Sequence, residues 1–132
     1  FPGIRSMQFI QTDNAPRAGG HYSQAVVAGG LIFVAGQLPF DPAHPGALDP
    51  DVGAQAAQAL KNVHHVLEAA GSSMQHIVNA TIFVTDIGHW PAVDHAYAQA
   101  LGEHRPARTV AVSAQLHYGA LVEVQVTAEM PV

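Results

Sequence analysis

Apolar and polar positions alternate with period two through most of the last stretch of the chain, Arg105 to Met130, RPARTVAVSAQLHYGALVEVQVTAEM. Val110, Val112 and Ala114 alternate with Thr109, Ala111 and Ser113, and Val122, Val124, Val126 and Ala128 alternate with Leu121, Glu123, Gln125 and Thr127. Such β-branched alternation predicts two strands, with His117-Tyr118-Gly119 as the turn signal between them. If the break spans Gln115 to Ala120, Ala114 pairs with Leu121, Val112 with Glu123 and Arg108 with Thr127. That register puts Arg108 and Glu123 on one sheet face, roughly 13 Å apart along the ladder. Their side chains would converge on a small molecule between them. The same spacing also fits a structural Arg and a solvated Glu on a wet sheet face.

The upstream pattern predicts the remaining elements. Met7 to Gln11 reads as a short edge strand, and Asp13 to Gly20 as a loop. Tyr22 to Val27 and Leu31 to Gly36 flank Gly29-Gly30, which predicts a hairpin. Gln37 to Pro50, with four prolines, is a long loop. A helix follows, with Asp49 as cap, Pro50 in the first helical position and Asp51 complementing the dipole. Its apolar stripe runs Val52, Ala56, Leu60, Val63, Leu67, Ala70 and ends at Gly71. Ile77 to Val84 is a buried strand, and Asp86 to His89 turns the chain. Pro91 starts a second helix that buries Ala92, Val93, Ala96, Tyr97, Ala100 and Leu101. Hairpin, helix, strand, helix, strand, strand predicts an α+β two-layer domain with both helices on one side of the sheet. The other face needs a cover that a symmetric oligomer would supply.

Composition narrows the function. The 132 residues suit one domain, and 48% apolar against 11% charged residues implies a largely uncharged surface, part of it in a subunit interface. A net charge of −5 with one Lys lacks the basic footprint of a nucleic-acid binder. The absence of Cys excludes disulfides and thiolate chemistry. No apolar run reaches membrane-spanning length and no signal peptide is visible, so the cytoplasm is the expected compartment. Phe1 to Ser6 reads as an appended, non-native extension, which leaves residues 7–132 as the domain.

Nine histidines invite a metal reading. His64 and His65 are neighbours on a helix and point about 100° apart, so joint chelation is not expected. His89 and His95 miss helical-face spacing, and no HExxH or Cys/His set occurs. No metal and no cofactor is therefore expected. His21 and His117, each beside a Tyr in a predicted loop, are the histidines expected near a pocket. Ser23, Ser113 and Asp94 lack any nucleophile-elbow context. Gly29-Gly30 lacks the helix and Lys of a phosphate loop.

Several stretches, in order, resemble the RidA/YjgF family, also called the endoribonuclease L-PSP family. They are Asn14-Ala15-Pro16, Gly20 to Ala25 (GHYSQA), Phe33 to Pro39 (FVAGQLP), Gln55 to Asn62, Val66 to Gly71 (VLEAAG), Thr81 to Asp86 (TIFVTD), Pro106 to Thr109 (PART) and Glu123-Val124. The resemblance covers nearly all of the chain after Met7. It implies a chorismate-mutase-like subunit and a homotrimer with sites in the clefts between subunits. It also implies hydrolysis of 2-imino acids of the 2-aminoacrylate and 2-aminocrotonate type to 2-keto acids and ammonia. By that resemblance Arg108 holds the substrate carboxylate, Glu123 positions or activates water, Tyr22 lines the pocket and Gly36 offers close backbone approach.

The chain departs from the family pattern at three places. Val110 replaces a frequent Cys, so only its backbone groups would contribute. Asp94 replaces a frequent Asn and adds a carboxylate that disfavours an anionic substrate or selects a cationic nitrogen. The segment Glu103-His104-Arg105 is short. The competing functions are a non-catalytic, small-carboxylate-binding or chaperone-like trimer, a 2-aminomuconate-type deaminase, and a ribonuclease, which the charge disfavours.

Overall fold

The protein is described by a computed structural model over residues 6–132; residues 1–5, most of the stretch read as an extension, lie outside the described residues. Six strands form one mixed sheet: β1 (Gln8–Ile10), β2 (Ala25–Ala28), β3 (Leu31–Gln37), β4 (Ile77–Val84), β5 (Ala107–Val112) and β6 (Val122–Glu129). The two helices are α1 (Val52–Ala69) and α2 (Trp90–Leu101). The α+β class and the number of helices match expectation.

Period-two burial shows which face is dry. Val122, Val124, Val126 and Ala128 of β6 are buried while Glu123, Gln125 and Thr127 are half-exposed. Ile32 and Val34 of β3 and Ala80, Ile82 and Val84 of β4 join the buried set, packed with Ala56, Leu60, Val63 and Leu67 of α1 and with Val93 and Leu101 of α2. Both helices therefore cover one face. The opposite face carries Phe9 and Phe33, each paired to Val26 in one row across β1, β2 and β3. They are 67% and 45% exposed, a large apolar surface for a chain with so few charges.

Strand order corrects the predicted hairpin. The order is β1-β2-β3-β6-β4-β5, so β4 lies between the last two strands. β5 runs parallel to β4, with Arg108 opposite Ala80 and Val110 opposite Ile82. β6 runs antiparallel to β4, with Glu123 opposite Phe83 and Val126 opposite Ala80. The physical reason is the crossover. α2 carries the chain back over the sheet and returns it parallel to β4, as a strand–helix–strand unit requires. β6 then fills the centre, where both its neighbours are antiparallel.

The β2–β3 turn is as read: Gly29 and Gly30 have φ of 60° and 79°, the positive pair that a type I′ hairpin demands. The α1 cap differs by one turn position. Asp51, not Asp49, is the N-cap and accepts from Ala54 N at 2.8 Å. Asp49 accepts from Asp51 N at 2.9 Å, which folds the loop into the cap. Pro50 lies outside the helix. In α2, Val93, Tyr97 and Leu101 are buried as expected, but Ala92 is exposed.

Three buried amides, invisible to a hydrophobic pattern, tie loops to this frame. Gln24 accepts from Thr12 N at 2.7 Å and donates to Thr12 O at 3.0 Å and Pro16 O at 2.9 Å. Gln55 donates to Asp49 O and accepts from Leu121 N. Asn62, fully buried, donates to Leu38 O at 2.9 Å and Phe40 O at 2.8 Å and accepts from Gln58. Replacing Asn62 with Ala orphans two loop carbonyls and is expected to cost about 3 kcal/mol. Chemical denaturation checks it; a change below about 0.5 kcal/mol would mean that water satisfies the loop instead.

Candidate functional site

The residues singled out in the sequence fall into two groups, one on each face of the sheet. Arg108 shares its pairing row with Ala80, on the face that the helices cover. Its guanidinium carbon lies 4.7 Å from the Trp90 ring centre and 5.4 Å from that of Tyr97. Its Nη1 donates to Asp94 Oδ1 at 3.3 Å. Trp90, Asp94 and Tyr97 follow i, i+4, i+7 spacing, so α2 presents all three along one stripe to the edge strand. Val110, two residues on from Arg108, is on the same side and half-buried. Ring faces fix the plane of a guanidinium, and one of its five N–H groups is directed at Asp94. The others can take a second, forked acceptor. Reading the sequence alone misses Trp90 and Tyr97 as site residues, although their helical spacing around Asp94 is the signal that would find them.

Burial, the largest influence, pushes the Tyr97 hydroxyl above its ordinary pKa; Arg108 opposes this and Asp94 reinforces it. That hydroxyl is buried with no hydrogen-bond partner among the described residues. Tyr97→Phe removes an orphaned polar group and keeps the ring against Arg108. It is expected to leave stability equal or higher by about 1 kcal/mol, and a lower melting temperature would show that the hydroxyl has a partner.

The second group starts from Glu123, on the face without helices. Its carboxylate reaches back to β3 beside Gly36, where the methyl group of an alanine would stand 2.5 Å from Oε2 and 3.0 Å from Cδ. No Lys, Arg or His among the described residues pairs with it. Gly36 also borders a cleft of about 640 Å³ whose wall includes Tyr22, Leu38, Phe40, Leu48 and Tyr118. The Tyr22 hydroxyl accepts from Gly19 N at 3.3 Å. Tyr118 sits at φ 60°, ψ 26°, a left-handed conformation costing a non-glycine residue about 1 kcal/mol. Its ring meets Phe40 edge-on at 6.1 Å. His21 and His117, expected near a pocket, are exposed, and their tyrosine neighbours line the cleft instead.

Arg108 and Glu123 thus do not share a face. They stand two strands apart, about 10 Å across the sheet, and on opposite sides of it. The hairpin geometry that brought them together is corrected by the insertion of β4. Arg108, Asp94 and Val110 form one cluster; Glu123 stands against Gly36, which borders the cleft that Tyr22 lines.

Comparison with known proteins agrees with the fold. The family model described as endoribonuclease L-PSP matches residues 12–130. A RutC family protein of Pyrococcus horikoshii is 36% identical over 92% of this chain and 96% of its own. The 2-iminobutanoate/2-iminopropanoate deaminase of Salmonella typhimurium is 39% identical over 90% of this chain and 94% of its own. Among solved structures, Escherichia coli TdcF with bound serine superposes with a TM-score of 0.89 at 33% identity, covering 94% of this chain and 99% of its own. The Rid family protein YyfA of Yersinia pestis superposes with a TM-score of 0.92 at 37% identity, covering 95% of this chain and all of its own. With the sheet order, the matched span and these relatives in agreement, the chain belongs to the RidA/YjgF family, the family of the endoribonuclease L-PSP model.

Proposed function

We propose that the protein hydrolyses reactive 2-imino acids to 2-keto acids and ammonia in sites built between two copies of the chain, within a homotrimer. One observation carries this reading: the two clusters lie on opposite faces of one sheet, each with half of the required chemistry. The Arg108 cluster has a guanidinium able to fork onto a carboxylate, and its one acidic group, Asp94, is engaged by Arg108 itself. The Glu123 carboxylate has no cationic partner among the described residues, and Arg17 is the one cation lining the neighbouring cleft. The face around Glu123 also carries Phe9 and Phe33, apolar area that a neighbouring copy would bury. Deaminase relatives at 38–39% identity support the reaction class.

In this reading the substrate carboxylate forks onto Arg108, whose plane Trp90 and Tyr97 hold. Glu123 of the adjacent copy takes a proton from water as the oxygen adds to C2 of the protonated imine. A tetrahedral amino alcohol forms. The proton passes from Glu123 to the nitrogen, the C–N bond breaks and ammonia leaves, while the freed Glu123 carboxylate takes the C2 hydroxyl proton and the keto group forms. Water is consumed and no electrons are exchanged. Little beyond positioning and one proton shuttle is needed, so the reaction requires neither a metal nor a cofactor. Val110 contributes backbone groups only, and Asp94 makes the incoming carboxylate compete for Arg108.

The test is the release of 2-oxobutanoate from freshly generated 2-iminobutanoate. Acceleration above the spontaneous rate supports hydrolysis. A second reading, binding without turnover, draws on the serine found in the TdcF structure. It predicts calorimetric binding of 2-oxobutanoate with no acceleration.

A further inference from the structure

We propose that His64, His65 and Glu68, near the C-terminal end of α1, form a binding site for a divalent transition-metal ion of the zinc type. The site is independent of the proposed deaminase chemistry: none of its residues borders the cleft or the Arg108 cluster. Spacing makes the set possible. Glu68 is i+4 from His64 and i+3 from His65, so its carboxylate lies one turn on, angularly between the two imidazoles. Adjacent histidines on a helix point apart, and in this proposal the shared carboxylate closes the gap. The rings stand 5.1 Å apart at 54°.

One ligand atom from each residue lies within 4.8 Å of the other two. His64 Nε2 is 3.9 Å from Glu68 Oε2, and His65 Nδ1 is 3.7 Å from Glu68 Oε1. Ligands around a tetrahedral zinc at about 2.0–2.2 Å stand near 3.4 Å apart, so an inward shift of about 1 Å suffices. Glu68 and His64 are exposed enough to make that shift by side-chain rotation, their side chains being 63% and 45% exposed.

A second observation points to a ligand. His65 Nδ1 is buried yet has no hydrogen-bond partner among the described residues. Glu68 is too far for a hydrogen bond, so the nitrogen keeps an unused lone pair or proton 3.7 Å from the carboxylate. A metal ion between them would satisfy both. Two imidazoles and one carboxylate suit zinc, nickel or copper(II) rather than magnesium or calcium, and water would complete the shell.

The test is a calorimetric titration of the untagged full chain with zinc chloride, repeated on Glu68→Gln, His64→Ala, His65→Ala and, as controls, His95→Ala and His117→Ala. Folding of each variant is verified by circular dichroism; Glu68→Gln, conservative and exposed, keeps the test decisive if a histidine variant fails to fold. The expected result is one saturable site per chain, weakened at least about tenfold by Glu68→Gln and by either histidine substitution. The controls should bind as the parent does. Cobalt(II) at the same site should show visible absorption that zinc displaces. No saturable binding by the parent, binding unchanged in Glu68→Gln, or a loss confined to His95→Ala or His117→Ala would each overturn the proposal.

Discussion

Replacing Arg108 with Ala is expected to lower kcat/KM for imine hydrolysis by at least about a hundredfold, close to 3 kcal/mol of transition-state stabilisation. The size follows from what is lost. A forked, charge-assisted pair fixes both the position and the orientation of a small acid, and a three- or four-carbon substrate has few other handles. Arg108→Lys should recover charge but not the fork, with a rate between the two. The stacked rings give a further discriminator: Lys cannot lie flat against Trp90, so its rescue should be poorest for the smallest substrate. Hydrolysis is read from keto-acid release, and equal rates for the parent and Arg108→Ala would remove Arg108 from the site. Stability should barely change. Arg108 and Asp94 form a partly exposed ion pair, and such pairs contribute little.

The second large effect is at Gly36. Alanine there would place its methyl group against the Glu123 carboxylate, 2.5 Å from Oε2. The backbone at Gly36 has no positive φ, so alanine fits the chain itself and only Glu123 must yield. Because the displaced atoms are the free end of a flexible side chain, the melting temperature should fall little. The carboxylate, however, must shift by about 1 Å, and misplacement of that size in a positioned base costs on the order of a hundredfold in rate. The expected signature of Gly36→Ala is thus a large fall in kcat with KM nearly constant and the fold intact. Glu123→Gln should show the same split. A Gly36→Ala protein with the parent's kcat would mean that Glu123 is not the group that directs water. The family resemblance implies close backbone approach at Gly36; in the proposed site its contact with Glu123 would make it a positioning residue as well.

Local features are the legible part of the sequence. β4 spans Ile77–Val84 as read, because eight residues with β-branched and buried character sit between clear turn signals. Gly29-Gly30 announces its hairpin, and the α1 stripe its buried face. Strand partnership is not legible. Period-two alternation says that β5 and β6 are strands and which residues share a face within each, but it is silent on which strand lies alongside. A short break with a turn signal makes the local pairing look sufficient, and only the crossover through α2 excludes it. The same limit explains the split site. Residue types and order reveal both charged groups, whereas their faces depend on the intervening β4.

Polar burial is the other blind spot. Gln24, Gln55 and Asn62 look like ordinary solvated amides until the loops they tie are in view.

The central claim is that one copy's Arg108 works with another copy's Glu123. It is tested most directly by mixing two inactive variants, Arg108→Ala and Glu123→Gln, under conditions that allow their subunits to exchange. In a closed three-fold ring with random assembly, about one quarter of the sites regain both groups. The mixture should therefore recover up to about a quarter of the parent's rate, while each variant alone stays inactive. A mixture no faster than its components, with exchange verified by mass spectrometry, would contradict the account.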